Sequence, residues 1–438
     1  MKPHAMSCAC HRQNHLKTIP NLLSLCAVIL SFLALLHFSY RHVLFQLSFY
    51  ASSSSSSLAS ANSSSSSAIA TAAAATGPPV VGGANSTSGA NATAECDIFR
   101  GEWVPDPEGP YYTNVTCTMI QDHQNCMRFG RPDREFLQWR WKPEGCELPR
   151  FDPHRFLELA RGKSMAFVGD SLARNHMQSL LCLLSEVAYP DDISNTRDEN
   201  RRLFYSDYNF TVSIFWSPFL VKGGEAGGVD NLWNLYLDEV DDNWAARVEA
   251  VDVLIISSGT WFTRPSIYFK KRQPFGCNYC AQSLYSVNLT RVSLYSVNRA
   301  AFRLAFKAIG KLRGFRGVTV LRTVSPSHFE NGKWDRGGSC NRTRPARREE
   351  TRLEAVELEM YRAQVKEFER ARREWERSRL QLKMMDATAA MLMRPDGHPD
   401  VYGHRPEQRV QLHNDCVHWC LPGPIDLWSD LLLHMLSN

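Results

Sequence analysis

Nowhere in the 438 residues does an Asp-x-Asp triplet occur, and no G-x-x-x-x-G-K-[ST] loop is present. The first absence removes the common metal motif of nucleotide-sugar enzymes and leaves sugar transfer only to metal-independent chemistry. The second removes the usual backbone cradle for phosphates, so no bound nucleotide cofactor is demanded. Net charge is small: 50 Lys and Arg against 45 Asp and Glu give +5, too dilute over this length for a nucleic-acid footprint. Paired C-x2-C and H-x3-H spacings are missing from the cysteine-rich stretch 96–150, so disulfides rather than a zinc module are expected there, and no metal site is expected elsewhere. Membrane-length apolar runs are absent apart from a single one.

That run is residues 21–40, NLLSLCAVILSFLALLHFSY, which holds no Asp, Glu, Lys or Arg. Twenty helical residues match the roughly 30 Å hydrocarbon core. Lys2, Arg12 and Lys17 precede it and only Arg41 follows closely, which orients a 1–20 tail toward the cytosol and the rest toward the lumen. A cleaved signal peptide is the competing reading, but the run exceeds an ordinary h-region and no clear small-x-small site follows. Residues 41–95 turn to Ser and Ala runs, a composition that buries too little apolar surface to order itself and reads as a stem. Sequons at Asn62, Asn85, Asn91, Asn114, Asn209, Asn288 and Asn341 agree with a lumenal glycoprotein. The layout is that of a single-pass type II Golgi membrane protein, although cell-surface receptors share it.

Ten cysteines follow the stem: Cys96, Cys117, Cys126, Cys146, Cys182, Cys277, Cys280, Cys340, Cys416 and Cys420. An even number suits an oxidised compartment, with connectivity left open. Residues 96–150 combine four of them with three tryptophans and six prolines, so a loop-rich, disulfide-stapled segment is expected whose tryptophans form its core or, alternatively, stack on sugars. Cys277-Asn278-Tyr279-Cys280 has redox C-x-x-C spacing without a thioredoxin-like unit around it, and reads as a local bridge.

The chemistry concentrates in two places. In KSMAFVGDSLARN (163–175), an apolar strand meets a Gly169-Asp170-Ser171 turn and an amphipathic helix follows. A serine at such a junction is exposed at the carboxyl edge of a sheet beside helix N-terminal N–H groups, and so is placed to be a nucleophile. The competing role is a helix N-cap, for which Ser is equally suited. Downstream, NDCVHWC (414–420) sets Asp415 three residues before His418, between two cysteines able to pin the loop. Asp415 and His418 suit the orienter and base of a Ser-His-Asp triad. Asp396 and His398 in RPDGHP form a rival pair in a turn that could contact substrate.

The Gly169-Asp170-Ser171 turn, the Asp415-x-x-His418 element, CDIFRGEWVPD at Cys96 and FGRPDREFLQWRWKPEGCELPRFDP (129–153) together resemble the plant trichome birefringence-like family of polysaccharide O-acetyltransferases. The resemblance spans roughly residues 95–438. It implies an α/β fold, a GDSL/SGNH hydrolase-like three-layer sandwich with a parallel sheet over 151–438, after the 96–150 segment. It also implies Ser171 as nucleophile, His418 as base and Asp415 as its orienter, with acetyl passing through an acyl-serine. The general GDSL pattern places an Asn shortly after the Gly that follows VDVLIISS, whereas here Gly259 is followed by Thr260 and Trp261. The Ser171 and Gly259 N–H groups and the Arg174 side chain are therefore the nominated oxyanion or substrate contacts. Arg174 could equally be a plain surface charge.

The stretches DCVHWCLPGPIDLW and MLMRPDGHP look closest to family members acting on xyloglucan. Xylan or mannan acetylation, an acetyl esterase of the same fold and a non-catalytic wall-polymer-binding protein are the alternatives. The acetyl donor, acetyl-CoA or another carrier, is not specified, and Golgi donor proteins or glycosyltransferases are conceivable partners. Runs 165–168, 253–256 and 318–321 read as buried parallel strands. Residues 349–385 read as one charged helix with an apolar stripe at Leu358, Tyr361, Val365, Phe368, Trp375 and Leu382; its charges are a solvated face or, less simply, a groove for acidic pectin.

Overall fold

The computed structural model describes residues 96–195, 200–227, 231–279, 289–409 and 413–437. The predicted tail, span and stem, together with Asn62, Asn85, Asn91, Asn288 and Cys280, lie outside them. Among the described residues no helix is long and apolar enough to cross a membrane.

Proline and tryptophan spacing limits the N-terminal segment to one antiparallel ribbon, β1 (Gly101–Pro105) against β2 (Trp139–Pro143), with Trp103 opposite Trp141. The two rings meet edge-on at 5.7 Å. The Trp141 indole donates to Ile98 O and that of Trp103 to Ala390 O, 2.9 and 2.8 Å. These tryptophans are spent on the core and on the join to the larger unit. Two disulfides, Cys117–Cys182 and Cys126–Cys420, complete the join, while Cys96–Cys146 closes the ribbon and Cys340–Cys416 lies within the larger unit.

From Asp152, whose carboxylate caps α1 (Pro153–Ala160), the chain builds β3 (Ser164–Gly169), α2 (Ser171–Leu184), β4 (Asp191–Asp192), β5 (Arg201–Tyr205) and β6 (Phe210–Trp216). It continues through β7 (Val221–Glu225), β8 (Trp233–Val240), α3 (Asp242–Ala245), β9 (Val253–Ser257), β10 (Ser266–Lys270), β11 (Gln273–Asn278) and β12 (Thr290–Arg291). The last elements are α4 (Leu294–Ile309), β13 (Val318–Arg322), α5 (Ala355–Trp375), β14 (Gln381–Met385), α6 (Thr388–Leu392) and α7 (Leu427–Ser437).

The main sheet runs β14-β13-β9-β3-β6-β5-β4. Its central strands are apolar on both faces because both are covered. Met165, Phe167 and Ile255 pack with α1, α2 and α7, while Ala166, Val168, Leu254 and Ile256 pack with α4 and α5. The expected parallel sheet needs correction: β14 to β6 are parallel, but β5 pairs antiparallel with both β6 and β4. The cause is local. Asn209 takes a left-handed conformation (φ 46°) and turns β5 directly back into β6. A second mixed sheet, β12-β11-β10-β8-β7, was not anticipated either.

The expected helix over 349–385 is shorter. It ends at Trp375, and Leu382 lies on β14, held parallel to β13 with Leu382 opposite Thr319. Five ladder residues at the sheet edge outcompete the helical period. The buried stripe of α5 is also rotated from the expected one, onto Met360, Ala363, Gln364, Glu367, Phe368, Ala371 and Trp375. Glu367 is fully buried and takes ion pairs from Arg299 and Arg303 of α4 at 2.6 and 2.7 Å, so part of this helix's charge is interior, not solvated. Cys277 is disulfide-bonded.

The N-terminal segment also docks through carboxylates. Tyr112 Oη and Ser179 Oγ both donate to Asp426 Oδ1 (2.8 and 2.6 Å), and Tyr111 Oη donates to Asp430 Oδ1 (2.6 Å). Burial pushes Asp426 up to about 6 and Asp430 up to about 8. Unfolded, both would titrate near 3.9, so the folded protein holds the extra protons and loses their stabilisation as pH rises through those values. The contribution of Asp430 therefore falls as pH rises from the unfolded carboxyl value toward about 8, and thermal stability is expected to decline with it up to that pH. Thermal scans of Asp430→Asn should show that slope flattened; an unchanged slope would refute the assignment.

Candidate active site

β3 delivers its C-terminal end to a turn that only glycine can make. Gly169 has φ +153°, and a Cβ there would collide with the Ser257 carbonyl of β9. The turn is held on both sides: Gly169 O accepts from Ser217 N–H at 2.9 Å, and Asp170 N–H donates to Ser257 O at 3.2 Å. The N-cap of α2 is Asp170, whose Oδ1 accepts from Leu172 N–H at 3.0 Å. Ser171 is the first helical residue and half-buried, so its hydroxyl is not the cap. Asp170 is 1% exposed. Burial raises its pKa, while Arg322 beneath it and the Leu172 and Gly259 N–H groups favour its charge. Gly259 thus sits beside Asp170, at the start of the turn that carries Trp261.

The C-terminal loop is built around Asp415. Its Oδ1 accepts from the N–H groups of Val417 and His418 (3.1 and 2.9 Å), and its Oδ2 lies 2.7 Å from His418 Nδ1. Its backbone pairs with Asp400 through two 2.9 Å hydrogen bonds, and the neighbouring Cys416 and Cys420 are both tied by disulfides. Burial works to raise Asp415, but the His418 contacts and the two N–H groups prevail and hold it well below the usual carboxylate range. For His418 burial opposes charge, yet Asp415 prevails and its pKa is raised. Its Nε2 is buried and has no hydrogen-bond partner among the described residues.

The two motifs are joined by a residue that sequence reading overlooked. Asn175, fully buried one helical turn after Ser171, accepts from Trp419 N–H at 2.8 Å and donates to Trp419 O at 3.3 Å. It clips α2 to the backbone beside His418. The i, i+4 spacing from Ser171 was the available signal. Asp170 and Arg174, on either side of Ser171, both act electrostatically on His418. Arg174 lies over the Trp216 ring at 4.7 Å. Trp216 faces Gly169 across the β3–β6 ladder and meets Trp261 edge-on at 5.3 Å, while Arg264 covers Trp261 at 3.9 Å. An aromatic and guanidinium wall, half-buried throughout, therefore borders the Ser171 turn. His123 of the N-terminal segment stands edge-on to His418 at 5.6 Å, its pKa pushed down to about 4 mainly by burial.

The rival pair takes another role. Arg394 chelates both Asp396 oxygens at 2.8 and 2.9 Å with both side chains fully buried. Arg131 binds the carbonyls of Asp396 and His398 at 2.6 and 2.8 Å. Asp396 is thus unavailable to His398. Among the described residues, Cys340, Asp400 and Cys416 cluster at metal-like distances, but the two sulfurs are bonded to each other and offer no thiolate pair.

Comparison with known proteins gives the family. Residues 148–435 match the model of the GDSL/SGNH-like acyl-esterase family found in Pmr5 and Cas1p, and residues 94–147 match the PMR5 N-terminal domain. Protein trichome birefringence-like 19 of Arabidopsis thaliana is 53% identical over 78% of this chain and 81% of its own length. Xyloglucan O-acetyltransferase 4 of Populus trichocarpa is 46% identical over the same shares. Xyloglucan O-acetyltransferase 2 of Arabidopsis thaliana is 41% identical over 78% of this chain and 83% of its own. With its Gly169-Asp170-Ser171 turn and Asp415–His418 loop within the matched region, the chain belongs to the GDSL/SGNH-like acyl-esterase family found in Pmr5 and Cas1p.

Proposed function

We propose that the protein transfers acetyl groups to hydroxyls of a cell-wall polysaccharide, with xyloglucan as acceptor, through an acetyl-serine at Ser171. The observation that carries this reading is His418: hydrogen-bonded to Asp415 on one nitrogen, unpartnered on the other, and clipped through Trp419 and Asn175 to the helix that Ser171 begins. Its Nε2 removes the Ser171 proton as Oγ attacks the acetyl carbonyl, and returns that proton to the leaving group of the donor. In the second half-reaction Nε2 takes the proton of a sugar hydroxyl as its oxygen attacks the acetyl carbon, the bond to Ser171 Oγ breaks, and Nε2 returns that proton to Oγ. Asp415 fixes the tautomer and supports the transient imidazolium. The Ser171 N–H and the Arg174 side chain would donate to the oxyanion, while the Gly259 N–H is engaged by Asp170. No cofactor is needed beyond an acetyl donor.

Esterase and transferase differ in whether water or a sugar resolves the acyl-enzyme. The Trp216–Trp261 wall favours a sugar, since aromatic rings supply apolar faces and the guanidinium groups supply donors for ring hydroxyls. Anchoring by residues 21–40 in the Golgi membrane, with the enzyme lumenal, belongs to the same reading. The sequons at Asn209 and Asn341 are exposed, as glycan attachment requires, and that at Asn114 is half-buried.

Intact mass spectrometry of the full-length protein with an activated acetyl donor tests the proposal. One added acetyl is expected on the wild type and none on Ser171→Ala, with discharge faster by xyloglucan than by water and slower in Trp261→Ala. Discharge unaffected by any polysaccharide would favour the esterase.

A further inference from the structure

Behind the His418 loop runs a chain of three hydrogen bonds that two neutral histidines cannot make. His398 is fully buried and stacks on Trp419 at 4.1 Å. Its Nδ1 lies 2.7 Å from His418 O and its Nε2 2.7 Å from His328 Nδ1, while His328 Nε2 lies 3.0 Å from Leu392 O. Both outer partners are carbonyl oxygens, which only accept, so both outer nitrogens must donate. A neutral imidazole has one N–H. With each spent outward, the two inner nitrogens would face each other at 2.7 Å as bare lone pairs. A third proton, shared between Nδ1 of His328 and Nε2 of His398, closes the chain.

We propose that His328 and His398 hold this extra proton as one shared imidazolium pair, and that the protonated pair is a positioning device that fixes the carbonyl of His418 and with it the orientation of the base. When the proton leaves to solvent two N–H groups remain for three hydrogen bonds, so one must open, and the His418 carbonyl no longer has an assured donor. The geometry, not the surroundings, calls for the extra proton, and the surroundings bar a second. Burial dominates on both rings and pushes both down, His328 to about 4 and His398 below the usual imidazole range, and charge on His328 further opposes charge on His398; the carbonyls of Leu392 and His418 and the charges of Asp396, Glu330 and Asp415 work the other way, while Arg342 and Arg131 repel the proton. The His418 ring lies beyond its own carbonyl, and His328 N–H donates to Cys416 O at 3.1 Å, so the pair bridges both sides of the catalytic loop.

The inference rests on His418 being the base, and its test separates the two ideas. Acetyl transfer by the full-length wild type should give a bell-shaped kcat profile against pH, because His418 must lose a proton and the pair must keep one. His328→Gln supplies a neutral amide with two N–H groups, enough for His398 Nε2 and Leu392 O, and does not titrate. Its profile should become a single rise to a plateau. A bell that persists in His328→Gln, or a wild-type profile without a second limb, overturns the proposal. Two-bond proton–nitrogen spectra of histidine-labelled wild type read the pair without reference to activity. Three protonated nitrogens among its four are expected at the pH of maximal activity, and two neutral rings there would refute the shared proton even if transfer is confirmed.

Discussion

Ser171→Ala and His418→Ala are each expected to lower acetyl transfer by about 10^3- to 10^6-fold, and the double variant should be scarcely worse than either alone. The reason lies in the shared proton path. Without Oγ there is nothing for His418 Nε2 to deprotonate, and without Nε2 a hydroxyl of ordinary acidity cannot attack. Asp415→Asn should cost about 10^4-fold, since the amide cannot hold the His418 tautomer that leaves Nε2 free. Steady-state rates of the four variants against wild type form the check, together with far-UV spectra to show that each is folded. Additive losses, multiplying across the double variant, would mean that the residues act separately and that no triad operates. Asn175 supplies a control within the same framework: because it touches backbone beside His418, Asn175→Ala should lower kcat while leaving acceptor KM nearly unchanged.

Arg394→Met should be the most damaging change outside that site. Its guanidinium holds both oxygens of Asp396, donates to Phe136 O at 2.6 Å and lies over Trp103 at 4.3 Å. Removing it strands a fully buried carboxylate, at a cost of about 3–5 kcal/mol, and a Tm lowered by roughly 10 °C. Restoring charge balance with Asp396→Asn in the Arg394→Met background should recover part of the loss, as two neutral groups are cheaper to bury than one ion. Arg344 and Glu135 form an equally short pair, 2.7 Å, on the exposed surface, and Arg344→Ala should leave Tm unmoved because water and salt screen that interaction. Differential scanning calorimetry of the three variants measures the contrast. A tolerated Arg394→Met would show that the RPDGHP turn is not the brace described.

Both expectations bear on how the N-terminal segment serves the larger unit. Arg131 and the Phe136 carbonyl grip the RPDGHP turn, Cys126 is bonded to Cys420, and His123 stands against His418. The segment forms a wall of the candidate site, and these contacts hold in place a two-stranded ribbon too small to be stable alone.

Local signals carried a large part of this protein. The Gly169-Asp170-Ser171 turn, the Asp415–His418 spacing and the unbroken apolar runs of β3, β9 and β13 were legible because each depends on neighbours in the chain: a positive φ, one turn of loop, a strand buried on both faces. What needed tertiary structure was every choice made between distant residues. Whether Asp396 or Asp415 serves a histidine was decided by Arg394, which takes Asp396. The cap of α2 was decided by the geometry of the turn, which selects Asp170 and frees Ser171. β14 became a strand because β13 offers it a ladder, and Glu367 is buried because two arginines of α4 reach it. Periodicity reports which faces are apolar; it contains nothing about which partner arrives to satisfy a buried charge, and that is settled only when the chain closes on itself.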